Sequence, residues 1–190
     1  MPGIVLIVLA AIVALYVVTA YNGLIALKNQ VLNAWKQIDV QLKRRHDLIP
    51  NLVETVKGAM NFERSTLEAV ISARNKAVSA QGVAATAKAE GELSQALGRL
   101  FALSENYPEL KSSSNVLQLQ EELTSTENKI GFARQLYNDV ATQYNTKQLQ
   151  FPTSLVAGLA KASPAELWEI EDAGERAVPK VDLSLNKPPA

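Results

Sequence analysis

Trp35-Lys-Gln-Ile-Asp-Val-Gln-Leu-Lys-Arg-Arg-His-Asp-Leu-Ile-Pro-Asn-Leu-Val-Glu-Thr-Val-Lys57 joins two kinds of chain. Its first half continues an apolar helical run that starts near residue 2. Its second half opens an amphipathic stretch, and between them stand three consecutive cations, a histidine, an aspartate and a proline. Such a junction connects a segment suited to lipid with one that folds in water.

Upstream, residues 4–20 carry no charge, and Tyr16 and Tyr21 lie near the far end. A membrane-spanning helix needs about 20 mainly apolar residues, a requirement that residues 2–21 meet. Tyr21 falls where aromatic rings favour the membrane–water boundary. A cleaved leader is the alternative, since Val18-Thr-Ala20 offers small residues at a cleavage spacing. A retained anchor is the stronger reading, because the leading end lacks Lys and Arg and the apolar run exceeds a leader's core. Beyond Tyr21, the residues Leu24, Leu27, Val31, Trp35, Ile38 and Leu42 recur at steps of three and four. That stripe marks a helix packed along one face, so anchor and first bundle helix form one rod.

The rod is expected to end near Arg45. Asp47 suits an N-cap, and Pro50 is tolerated in the first turn of a new helix. Ile49, Leu52, Val53, Val56, Met60, Leu67, Val70, Ile71 and Val78 then supply an apolar face. The other reading is one helix kinked at Pro50. Ala80-Gln-Gly82 closes this segment, an Ala-rich helix follows from Val83 to Leu103, and Ser104-Glu-Asn-Tyr-Pro-Glu-Leu-Lys111 marks a loop. Ser112 to Asn115 offer caps for a last long helix, which Phe151-Pro152 ends. Short helical turns and a mobile tail follow. The predicted fold is all-α: a transmembrane helix continuous with an up-down antiparallel bundle of about four long helices. The predicted divisions are an anchor over residues 1–22, the bundle over 23–150, and short turns with a flexible tail over 151–190.

Composition narrows the chemistry. Lys plus Arg and Asp plus Glu are equal at 19 each, so the chain as a whole is no polyanion binder, and nucleic acid is not an expected partner. There is no Cys and one His, which excludes thiolate metal sites and thiol nucleophiles. Phosphate-loop, nucleophile-elbow and zincin motifs are absent. No catalytic residue, metal ligand or cofactor is assigned. His46 reads as a polar residue at a helix end.

The remaining charges are candidates for pairing or partner contact: Lys43, Arg44, Arg45, Asp47, Glu54, Arg74, Glu127 and Arg134. Positive charge beyond the apolar run favours a cytoplasmic bundle, with the extracytoplasmic side as the alternative. Arg45 lies about 36 Å along a helix from the anchor, so direct attraction to anionic lipid is weak. Tyr-Asn occurs at 137–138 and again at 144–145, one heptad apart, and the rings are expected in the core. Tyr21, Phe151 and Trp168 are expected near the bilayer, because the last long helix returns towards it.

Several strings also resemble the LemA family. They are Tyr21-Asn22, Ala34-Trp35, Ile38-Asp-Val-Gln-Leu-Lys-Arg-Arg45, Asp47-Leu-Ile-Pro-Asn-Leu-Val-Glu-Thr-Val-Lys57, Ala73-Arg74 and Glu105-Asn-Tyr-Pro-Glu-Leu-Lys111. Glu127, Ile130, Ala133-Arg134, both Tyr-Asn pairs and Phe151-Pro152 complete the set. The resemblance implies an N-terminal membrane helix, an all-α domain and no established enzymatic activity. It also implies an association with membrane-protein quality control, with a membrane zinc metalloprotease as a partner, or with magnetosome biogenesis. Where relatives carry a Phe-Phe-rich C-terminal segment, this chain has Gly158-Leu and Leu167-Trp168.

The expected function is a non-enzymatic, single-pass, oligomeric scaffold or adaptor in the bacterial inner membrane, held in the bilayer by residues 2–21. The alternative is a lipid- or ligand-binding module at the membrane surface.

Overall fold

A computed structural model describes residues 2–58 and 63–169. Among the described residues the regular structure is helical: α1 (Pro2–Lys57), α2 (Arg64–Ser79), α3 (Val83–Ser104), α4 (Pro108–Lys111), α5 (Ser114–Leu149) and α6 (Ser154–Ala157). Met60 and the expected mobile tail beyond residue 169 lie outside the described residues.

Helix α1 runs 56 residues, about 84 Å at 1.5 Å per residue. Its first 20 residues are apolar around the whole circumference, and Ile4, Leu6, Ile7, Leu9, Ile12 and Leu15 are all exposed. Water does not tolerate an unpartnered apolar cylinder of that size, whereas hydrocarbon does. The segment is long and apolar enough to cross a membrane.

The expected reversal at residues 45–47 does not occur, and α1 passes through Asp47 and Pro50 without a break. The apolar phase explains why. Ile38, Leu42, then Arg45 with His46, Ile49, Leu52 with Val53, and Val56 are buried at unbroken steps of three and four. Packing of that stripe outweighs the single hydrogen bond lost at proline. Asp47 is therefore an exposed mid-helix residue, not a cap. Helix α1 instead ends at Lys57 and α2 begins at Arg64, so four long helices remain with the first boundary moved outward.

Helices α1 and α5 run antiparallel for most of their length, since Arg45 meets Glu127, Trp35 meets Tyr137 and Tyr16 meets Thr153. Helices α2 and α3 form a hairpin around Gly82, whose φ of 85° suits glycine and strains any residue with a Cβ. Two cores result. The distal one joins Ile49, Leu52 and Val56 to Val70, Leu93, Leu97 and Leu100, with Val116 and Leu123 from α5. The proximal one joins Leu24, Ile38 and Leu42 to Ile130, Tyr137, Ala141 and Tyr144. Among the described residues, α1 and α5 supply most of the proximal core, with Val83 and Ala87 of α3 packed against it. Its remaining side is closed by Ala160 and Trp168 from the chain beyond α5.

Candidate functional site: a buried ion cluster and an asparagine-clamped strap

The first site lies where α1, α3 and α5 meet. The Arg45 guanidinium, almost fully buried, places Nη1 3.3 Å from Glu90 Oε2 and 2.9 Å from Glu127 Oε2. Its Nη2 donates to Ser94 Oγ at 2.8 Å. His46 Nε2 lies 2.6 Å from Glu90 Oε1, so the carboxylate of α3 bridges two consecutive residues of α1. Glu127 Oε1 in turn lies 3.9 Å from Arg134 Nη2. Glu90 has both oxygens engaged, as a buried carboxylate requires.

Pro50 sits one turn above and has no N–H to donate to the His46 carbonyl. Arg74 of α2 fills the gap, donating Nε to that oxygen at 2.9 Å. The proline is thus accommodated inside a continuous helix by a side chain from the neighbouring one. Chemically, the cluster fixes the rotation and height of four helices against one another. Among the described residues no group of His, Cys, Asp and Glu has metal-binding geometry.

The second site lies on α5 beside the proximal core, where the chain after α6 runs extended along the helix. Asn145 Nδ2 donates to the Ala165 carbonyl at 2.8 Å, while its Oδ1 accepts from the Ala165 N–H at 2.7 Å. Asn138 repeats the arrangement with Trp168, at 2.9 and 2.8 Å. Tyr137 donates its hydroxyl to the Glu166 carbonyl at 2.7 Å. Burial, then the nearby Glu166 charge, raises the Tyr137 phenol above its ordinary pKa. The Trp168 ring is buried against Trp35, 6.0 Å between centroids, with the Arg134 guanidinium 5.7 Å above it.

A third feature lies on the open face of the α1 and α5 pair. Val40, Phe132 and Leu136 are exposed there, and they share a shallow groove with Gln41. The Gln41 Oε1 atom is buried and has no hydrogen-bond partner among the described residues.

Of the residues singled out from sequence, the ion cluster unites Arg45, Glu127 and Arg134, with Arg74 one turn away. Lys43, Arg44 and Asp47 are solvated, and Glu54 pairs with exposed Lys57, at 3.3 Å. Phe151 lies beyond the α5 terminus, two residues from Thr153, whose hydroxyl is 3.2 Å from that of Tyr16. Tyr21 is exposed one turn further along α1. Trp168, expected near the bilayer, packs instead on Trp35, about 21 Å along α1 from Tyr21.

Sequence reasoning missed Glu90, Ser94, Asn138 and Asn145. Glu90 has a readable signal, since it interrupts the stripe of Thr86, Leu93, Leu97 and Leu100 that α3 buries. The heptad-spaced Tyr-Asn pairs are visible too, but periodic rings point to core packing and say nothing of the amides beside them.

An apolar helix long enough to cross a membrane, passing unbroken into a helical bundle braced by internal ion pairs, marks an all-α protein suited to membrane association. The family model described as LemA family matches residues 34–183, and the chain belongs to that family. Protein LemA of Metamycoplasma hominis is 32% identical over 138 residues, covering 72% of this chain and 63% of that protein. The magnetosome proteins MamQ 1 and MamQ 2 of Paramagnetospirillum magneticum are each 24% identical, over 82% of this chain and 66% of theirs. The chain spans just under two thirds of the length of each of these relatives.

Proposed function

We propose that the chain is a non-enzymatic scaffold of the bacterial cell membrane, working as a homo-oligomer that holds other membrane proteins at a fixed height from the bilayer. The observation that carries this reading is the continuity of α1 from Pro2 to Lys57. A rigid joint between anchor and bundle suits positioning, whereas a flexible linker suits an independently working domain. The groove of Val40, Phe132 and Leu136, with its unsatisfied Gln41 acceptor, supports packing against a second copy. Light scattering on detergent-solubilised chain tests the oligomer. A strict monomer at micromolar concentration overturns that part. The basic residues beyond the anchor support a cytoplasmic bundle. A Cys introduced at Ser112 and labelled by an impermeant reagent in intact cells would place the bundle outside instead.

The second reading, contact of the bundle with the membrane surface, is favoured by one observation. The hydrogen bond between Tyr16 and Thr153 ties the start of α6 to the lipid-compatible part of α1. Phe151, Leu155 and Leu159 around it are 81%, 73% and 70% exposed. Their immersion in the headgroup region removes that apolar surface from water. An environment-sensitive fluorophore on Leu155→Cys shifts to the blue in liposomes if they insert, and stays unshifted if they do not.

A further inference from the structure

The two asparagines obey a simple length match. Three residues of extended chain cover about 10 Å at 3.3 Å each. One heptad of helix covers about 10.5 Å. Asn145 and Asn138 are a heptad apart and hold Ala165 and Trp168, which are three residues apart. The strap therefore lies on α5 in a repeating register, running antiparallel to it. Each clamp uses only main-chain N–H and C=O, so the backbone is recognised whatever chain it belongs to. One pocket, formed by Trp35, Tyr137 and Arg134, recognises a side chain, that of Trp168.

The approach to the strap differs from the strap itself. Residues 153–160 are tied down, with Thr153, Val156 and Ala160 buried. The chain then turns at Lys161, a residue with a Cβ held at φ 46°. Lys161 closes the turn after α6 as a left-handed cap, with its N–H bonded to the Gly158 carbonyl at 3.1 Å and the Ala162 N–H to the Ala157 carbonyl at 3.0 Å, a position that suits glycine better than lysine. A short hinge held in an unfavourable conformation is the arrangement that promotes exchange of an element between copies. Opening it relaxes Lys161 at the expense of the two cap hydrogen bonds, and keeps every strap contact provided that a neighbour's groove receives the strap. Anchored copies stand at one height and in one orientation, so donor strap and acceptor groove lie level.

We propose that neighbouring copies of this chain exchange their 163–169 straps, each inserting Trp168 into the other's α1 and α5 groove. This rests on the oligomeric reading given above and names the contact that joins the copies.

The chain has no native cysteine, which makes the test direct. Asp139 lines the hollow beside Trp168, and Glu166 is an exposed strap residue. Two differently tagged full-length chains are co-expressed, a strap-labelled one carrying Glu166→Cys and a groove-labelled one carrying Asp139→Cys. Membranes holding both are treated with a short flexible bismaleimide. Exchange gives a covalent heterodimer. Adding Asn138→Leu and Asn145→Leu to the groove-labelled chain removes the four asparagine hydrogen bonds to the strap main chain and leaves the one from Tyr137. That change is expected to lower the heterodimer yield by about tenfold or more. Trp168→Ala in the strap-labelled chain does the same. Circular dichroism of these variants establishes that the helices remain.

The absence of a heterodimer from the singly labelled pair, while a control chain carrying both Glu166→Cys and Asp139→Cys crosslinks internally, overturns the proposal. So does a heterodimer whose yield ignores the asparagine and tryptophan changes. In either case, light scattering that still reports an oligomer leaves the scaffold reading standing, and a monomer removes both.

Discussion

Arg74 donates to the His46 carbonyl at 2.9 Å, replacing the donor that Pro50 cannot provide. This contact belongs to α2, yet it completes the hydrogen bonding of α1. Arg74→Leu is expected to destabilise the bundle by about 1–3 kcal/mol, the range for a buried acceptor left unpaired. In a Pro50→Ala background the restored N–H meets that carbonyl, and the same change should cost clearly less. Chemical denaturation of the four proteins in the cycle measures the coupling, and additive losses would show that the arginine acts elsewhere.

Arg45 and Glu90 are the most buried charges among the described ion pairs. Arg45→Met takes the guanidinium away from Glu90 Oε2 and leaves His46, on the other oxygen, to face the buried carboxylate. A loss of about 3–5 kcal/mol is expected, as when one member of a buried pair is removed. Converting Glu90 to Gln in the same chain should recover part of it, because no charge is then stranded. Thermal unfolding of the full-length protein in detergent reads both.

The Tyr137 phenol is raised by burial, so the fold favours its neutral form. An unfolded tyrosine ionises near pH 10, before the folded one does. The contribution of Tyr137 to stability is therefore complete below about pH 10 and is lost as pH rises towards its folded pKa. Tyr107 is raised as well, so the late-titrating part of the phenolate absorbance should shrink, not vanish, in Tyr137→Phe. That variant should also lose less stability than the parent between about pH 9 and 11, since it has no phenol to ionise on unfolding.

Phe132 is 74% exposed on the open groove of α1 and α5. Phe132→Ser is expected to leave the monomer's stability within about 0.5 kcal/mol of the parent, as surface changes do. If this face joins copies, it should shift the oligomer towards smaller species. Size-exclusion chromatography with light scattering distinguishes that outcome from an unchanged mass.

The fold is legible wherever apolar spacing carries it. The stripe from Leu24 to Leu42 and the partner stripe through Ile130, Tyr137 and Tyr144 form the proximal core. The first corner is misplaced from sequence because Asp47 and Pro50 supply local helix-start chemistry, while the partners that keep the helix going lie far along the chain. Neither Arg74 nor Glu90 announces from the sequence which helix it will reach. For the same reason, half of the ion cluster is anticipated and its central carboxylate is not. The strap is least visible, since an extended segment held through its main chain leaves almost no side-chain pattern. Only the asparagines that hold it are periodic.

The unbroken α1 also works as a lever. Between Tyr21 and Lys57 the helix extends about 54 Å past its membrane-compatible segment. Transmembrane helices tilt further when the bilayer thins. A change of about 10° at the anchor sweeps the far end sideways by about 9 Å, through a joint that has nowhere to bend. With residues 2–21 in a bilayer, a change in its thickness would become lateral displacement at the tip of the bundle.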